Sequence, residues 1–172
     1  MLKNRNLINA DLIGASFRNA DLTGANLSGA RLKGADLRGA KLNNARMVRA
    51  DFSEANLEGA ELNGANLNQA VFWRARLAGA RMDKAHLESA DFSHASLLNA
   101  DLTRTHLLNA DLQHADLRNA RLDGAFLNYS NLKDANLSGA SIQRSRFNDA
   151  HLSRTIWADG SVCQSPSIGK CE

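Results

Sequence analysis

Four of the five histidines fall in two pairs with a spacing of twenty, His86 with His106 and His94 with His114, and two cysteines, Cys163 and Cys171, stand close together near the end of the chain. Imidazole and thiolate are the side chains that hold zinc, nickel or copper, and paired thiols can instead close a disulfide. Two thiols cannot complete a four-ligand zinc site, and neither cysteine has a histidine within tail spacing. The pair therefore reads as a disulfide that fixes a terminal cap, which is preferred, or as two incidental reduced thiols. A nine-residue ring would contribute roughly 2.5 kcal/mol of loop entropy. The acids are numerous, but no G-x-S-x-G elbow and no phosphate-binding glycine loop accompanies them. No catalytic residue, no cofactor and no enzyme activity is expected.

These residues are positioned by a rule that runs through most of the chain. An apolar residue recurs at every fifth position from Leu2 to Trp157, thirty-two times without insertion or deletion, and it is Leu in twenty-three units. With that residue as i, position i−2 is Ala in twenty-six of thirty-one units and small in all but the Arg5 unit. Position i−1 is most often Asp or Asn, as in Asp21, Asn26 and Asp36, and i+1 is free. At i+2 ten units carry Gly and seven carry Asn.

A five-residue step turns an α-helix by about 500°, so successive leucines would lie roughly 140° apart and form no stripe. A continuous strand sends every second leucine into water, because its side chains alternate with period two. The chain must therefore turn once per unit, with i−2 and i inward, i−1 outward and a corner at i+1 and i+2. Gly and Asn at i+2 suit a type II turn, whereas Arg, Lys, His or Asp there predicts type I or irregular turns. Four corners of about 90° close a square coil of twenty residues, and about eight coils at about 4.8 Å make a rod roughly 37 Å long. The small i−2 residue gives clearance for the large i residue. The only proline, Pro166, lies beyond the last unit, as a backbone ladder that uses its N–H groups requires.

Units such as Ala20-Asp21-Leu22-Thr23-Gly24 and Ala35-Asp36-Leu37-Arg38-Gly39 resemble the A(D/N)LxG repeats of the bacterial and cyanobacterial pentapeptide-repeat family. The resemblance covers residues 2 to 157 and implies an all-β fold, the right-handed quadrilateral parallel β-helix. The ending, Trp157-Ala158-Asp159-Gly160 followed by Cys163 and Cys171, resembles that of a subset of the family. The expected organisation is a β-helix over 1–157, with Trp157 as end plug, and a capping tail over 158–172. The N-terminal end has no comparable device apart from charged Lys3 and Arg5, which leaves end-to-end association and a missing native leader both open.

With 172 residues, 44% of them hydrophobic, the chain is one domain with a thin core. No run of about eighteen apolar residues would span a membrane, and Met1-Leu2-Lys3-Asn4 does not open a signal peptide. The cysteine pair favours an extracytoplasmic home if a leader was removed; otherwise the protein is cytoplasmic.

In a twenty-residue coil, residues n and n+20 are neighbours. The column Asp21, Lys41, Glu61, Arg81, Asp101, Arg121 then alternates in sign, a ladder of exposed ion pairs each worth about 0–1 kcal/mol. The basic residues Arg31, Lys33, Arg38, Lys41, Arg46 and Arg49 spread over all four sides, which disfavours direct nucleic-acid binding. The histidine pairs occupy two different columns that bring no third ligand together, so a role as ordinary exposed polar residues outweighs a metal site. Apolar residues at outward positions are rarer. Leu108, Phe126 and Tyr129 form one candidate interaction surface; Val71 and Trp73, with Arg74 and Arg76 nearby, mark another. The expected function is a non-enzymatic rod that binds an unknown protein partner or itself. The alternative implied by the family is a DNA-mimic protein that protects DNA gyrase, disfavoured by the net charge of +3.

Overall fold

The computed structural model of the chain describes residues 2–171. Its backbone is a parallel ladder in which every outward i−1 residue pairs with the residue twenty positions on, unbroken from Asn6↔Asn26 to Asn136↔Ile156. Four units therefore make one coil, and the rod has four faces. Face 1 holds the column of Leu22 and Leu42, face 2 that of Leu27 and Met47, face 3 that of Leu32 and Phe52, and face 4 that of Leu37 and Leu57.

A central unit shows how its five N–H groups are used. Asn56 donates backward to the Ala35 carbonyl at 2.9 Å, while Leu57 and Gly59 donate forward to Arg76 at 2.7 Å and Ala78 at 3.0 Å. Ala60 closes the corner by donating to Leu57 at 3.0 Å. The fifth donor, the Glu58 N–H, goes to the Asn56 Oδ1 at 3.1 Å. This last bond explains why Asp or Asn dominates i−1: a short side chain bearing an acceptor satisfies the N–H two residues on. Thr23 on Asp21 (3.0 Å), Ser93 on Asp91 (2.8 Å) and Ser138 on Asn136 (2.9 Å) repeat the arrangement. Where Glu61, Arg81 or His86 occupies i−1, an Asn one coil earlier substitutes. Asn43, Asn63 and Asn68 accept from the N–H groups of Asn63, Asp83 and Glu88, each at 3.0 Å.

The corners differ from expectation in one respect. Every i+2 residue from Asn4 to Arg154 has positive φ, including Arg49, Lys84, His94, Arg104 and Asp134, while no i+1 residue does. All are therefore of type II character, whatever side chain stands there. The ladder above and below fixes the corner, and local preference yields to it. A Cβ on Gly64 would sit 2.6 Å from the Asn44 Oδ1, so a larger residue there would make that side chain turn aside; Asn119 and Tyr129, which follow Asn99 and Asn109 by one coil, show that such a corner accepts residues other than Gly.

The core is a column of Leu, Phe and Met lined by Ala, closed to solvent from Leu22 to Leu137. In face 3 Phe52, Phe72 and Phe92 stack nearly parallel, with centroids 5.1 and 4.6 Å apart. The exceptions at i−2 keep their hydroxyls satisfied: Thr105 donates to the Leu102 carbonyl at 2.7 Å and Ser130 to that of Leu127 at 2.6 Å.

At the C-terminal end Trp157 is half-buried, with its ring edge-on to Phe147 at 5.0 Å. The tail then runs back antiparallel across the last coil, through Ile156↔Val162 and His151↔Ile168. Leu152 donates to Ser167 at 2.8 Å and Arg154 to Cys163 at 3.0 Å, so forward-pointing N–H groups of the last coil are used by the tail. Cys163 is buried and bonded to Cys171 with Cα atoms 4.8 Å apart. Both cysteines belong to the tail, so the bond closes the tail on itself and does not tether it to the rod. Its loss should therefore act locally. In Cys171→Ser we expect the Leu152 and Arg154 amides to exchange faster, by an opening free energy lowered by up to roughly 2.5 kcal/mol, while the Leu87 amide at mid-rod is unchanged. Uniform acceleration along the rod in hydrogen exchange would contradict a local cap.

Candidate functional site

Since the repeat consumes the inward residues, only outward side chains remain to recognise anything. On face 2 the columns place Leu108, Phe126 and Tyr129 on adjacent coils. Phe126 lies between His106, ring centroids 5.2 Å apart, and Arg146, whose guanidinium carbon is 5.1 Å from the Phe126 centroid. Leu108 and Phe126 are half-buried, whereas Tyr129 is 57% exposed at a corner with φ of 60°. Face 3 carries Val71 and Trp73, both half-buried, and the Arg74 guanidinium covers the indole at 4.4 Å. Arg76 does not join them; it lies on face 4, paired with Glu58. The two apolar groups are thus separate surfaces.

Further exposed apolar residues were not singled out from the sequence. Ile8 and Ile13 in the first coil are 47% and 48% exposed, and Val162 and Ile168 project from the tail at 56% and 46%. Their common signal is position: i+1 in the opening units, or the non-repeat tail. The rod is also not featureless, because a shallow depression of about 370 Å³ on face 2 is lined by Ile8, Val48, Arg46 and Arg49 among others.

Some of the charges are neutralised in place. In the alternating column, Arg121 reaches Asp101 at 3.3 Å, but Glu61 instead accepts from the Asn43 amide at 2.8 Å. Several pairs form off the column: Arg31 with Asp11 at 3.0 Å, Lys33 with Glu54 at 3.3 Å and Arg118 with Asp116 at 2.7 Å. Exposed as they are, such pairs steer specificity more than stability. The Arg38 guanidinium, donating to the Asp36 carboxylate, holds that acid down to about 2. A depressed carboxylate contributes stability above its unfolded value and loses it as pH falls, here between about 4 and 2. Carboxyl NMR of Arg38→Met should show the Asp36 midpoint rise toward the ordinary 3.8; a midpoint unmoved by the substitution would remove Arg38 as the cause.

The histidine pairs stack as the columns require, with ring centroids 4.9 Å apart for His86 and His106 and 4.7 Å for His94 and His114. The structure corrects the expectation that no third ligand joins either pair. Glu88, at i+1 of the His86 unit, brings a carboxylate oxygen to 4.0 Å from the His106 Nδ1. Asp134 stands 4.0 Å from the His114 Nε2 but is held by both Arg154 nitrogens, at 2.6 and 2.7 Å. Arg154, through these hydrogen bonds first and its charge next, keeps the Asp134 carboxyl below its usual range.

Comparison with known proteins agrees with this architecture. The family model described as pentapeptide repeats matches in 8 copies, over stretches that include 2–39, 30–69, 55–93, 72–108, 85–124 and 115–154. Among solved structures, a trypsin-treated form of QnrB1, a plasmid-mediated fluoroquinolone resistance protein, is 18% identical over 83% of this chain and 84% of its own, with a TM-score of 0.56. HetL, a pentapeptide repeat protein involved in heterocyst differentiation regulation from the cyanobacterium Nostoc sp. strain PCC 7120, is 27% identical over 91% and 92%, with a TM-score of 0.38. A pentapeptide repeat protein of the Arabidopsis thaliana thylakoid lumen is 26% identical over 80% and 86%, with a TM-score of 0.37. No curated protein sequence matches significantly. The fold is the right-handed quadrilateral β-helix, and among the described residues no helix is long and apolar enough to cross a membrane.

Proposed function

We propose that this chain, which belongs to the pentapeptide-repeat family, is a non-enzymatic rod that binds another protein, or a second copy of itself, through outward side chains of face 2. The observation that carries this reading is Tyr129. Its ring is exposed at a corner whose left-handed backbone the ladder imposes on every unit, and it adds nothing to the core, so the side chain is left to recognition. Placed beside Phe126 and Leu108, it supplies the amphipathic aromatic character typical of interface anchors. Val71 and Trp73 are a lesser candidate, because Arg74 already covers the indole. The Cys163–Cys171 disulfide suits an oxidising compartment.

Light scattering at rising concentration is the test. Association of the 18.6 kDa chain should disappear in Leu108→Ser with Phe126→Ser, and an unchanged mass rejects that surface. If the parent chain stays monomeric, a photo-crosslinking residue at position 129 replaces the assay, and absence of any adduct in the source cell rejects the reading.

Topoisomerase protection is the alternative, prompted by the likeness in fold to QnrB1, a fluoroquinolone resistance protein. A duplex mimic needs a continuous acidic face, and no column here stacks more than the pair Asp91 and Asp111 before a neutral or basic residue intervenes. A gyrase supercoiling assay with a fluoroquinolone separates the readings: no effect of the protein at micromolar concentration removes the alternative.

A further inference from the structure

We infer that His86, Glu88 and His106 form a binding site for a divalent transition-metal ion of the zinc, nickel or copper class. The site stands independently of the protein-interaction reading, although it lies on the same face. His86 and His106 are bridged partners on successive coils, and Glu88 follows His86 with only the buried Leu87 between them. One ligand atom from each of the three lies within 4.8 Å of the others. The imidazoles are tilted at 49°, an arrangement that lets a nitrogen from each aim at one point. Around a bound ion at about 2.0–2.2 Å from each ligand, neighbouring ligand atoms stand roughly 3.3–3.6 Å apart. Side-chain torsions on an open face can close the remaining ångström without moving the backbone.

The chemistry of the set is selective. Two imidazoles with one carboxylate match borderline transition metals, and calcium or magnesium would call for oxygen ligands alone. Glu88 is oriented from outside the cluster: Asn68 accepts from its backbone N–H at 3.0 Å and places its amide 3.4 Å from the Glu88 Oε2. Such outer contacts fix a ligand before the metal arrives. Among the described residues no Lys or Arg forms an ion pair with Glu88, so its charge is left for a cation. The second histidine pair provides an internal contrast. The His94 and His114 rings lie almost parallel, at 19°, and Arg154 already neutralises the nearby carboxylate of Asp134. Both features oppose a shared ion there. Three protein ligands leave a coordination position open toward solvent, on the side of the rod that carries Phe126.

The experiment is isothermal titration of the untagged full chain at pH 7.5 with Zn²⁺ and with Ni²⁺, and a Co²⁺ absorption spectrum as a readout of the ligand geometry. We expect one ion per chain, bound in the micromolar range, with Co²⁺ bands of a low-coordinate nitrogen and oxygen site. Glu88→Gln and His106→Ala should each weaken binding at least about tenfold, whereas His94→Ala with His114→Ala should leave it unchanged. All substituted side chains point outward, and an unchanged circular dichroism spectrum verifies the fold of each variant. Binding no tighter than millimolar overturns the proposal, as does equal loss in the His94/His114 variant.

Discussion

Phe72→Ala lowers the unfolding free energy by roughly 3–5 kcal/mol, the cost of emptying a fully buried aromatic site. The upper part of that range applies here for a structural reason. Phe72 is fully buried between Phe52 and Phe92, so its removal strips two aromatic contacts as well as its own hydration term. The cavity cannot collapse, because the backbone on each side is held by ladder bonds such as Phe52 to Val71 at 2.7 Å and Phe72 to Asp91 at 2.6 Å. Each coil touches only its neighbours, so a weakened coil also uncouples the two halves of the rod. Urea unfolding followed by circular dichroism should therefore show a lower midpoint and a transition that broadens or splits. Phe72→Leu, which restores the commonest occupant of the position, should lose less than half as much. A loss below about 1 kcal/mol in the alanine variant would mean that the column is not close-packed.

The fold was legible because one steric rule repeats without interruption: a large residue at i, a small one at i−2, and a turn between units. What escaped the sequence depends on partners that exist only once the coil is closed. Arg49 or Asp134 at a corner carries no sign of positive φ, since the conformation is imposed by the coils stacked on it. The acceptor role of Asp21 or Asn56 is invisible until the turn defines which N–H needs a partner. The same blindness affected the candidate sites. His86 and His106 stand out as residues n and n+20 of one column, but Glu88 sits in the adjoining column of the same face, so single columns do not reveal it. Tyr129 and Trp73 were recognisable as breaches of an otherwise polar surface; the covering of Trp73 by Arg74 was not, because it depends on side-chain direction at one corner.

Proline substitution should separate the two kinds of backbone position more sharply than any side-chain change. At i−1 the N–H belongs to the ladder: Asn56 donates to Ala35 at 2.9 Å. Asn56→Pro removes that bond, leaves the Ala35 carbonyl without its donor and discards the Oδ1 that serves Glu58. The expected cost is about 3 kcal/mol or more. At i+1 the demands are opposite. Position i+1 of a type II turn wants the φ that proline supplies, and Arg76, two residues before Ala78 at i−1, offers no Asx acceptor for the Ala78 N–H. The Ala78 carbonyl, which accepts from Gly59 at 3.0 Å, is kept in the proline variant. Ala78→Pro should therefore be neutral, or stabilise by about 0.4–1 kcal/mol through a less flexible unfolded chain. Thermal and urea unfolding of the two variants measures the contrast directly. If both unfold the rod, the corner is not type II at Ala78; if neither does, the ladder bond at Asn56 contributes little, and the cause assigned to the near-absence of proline fails with it.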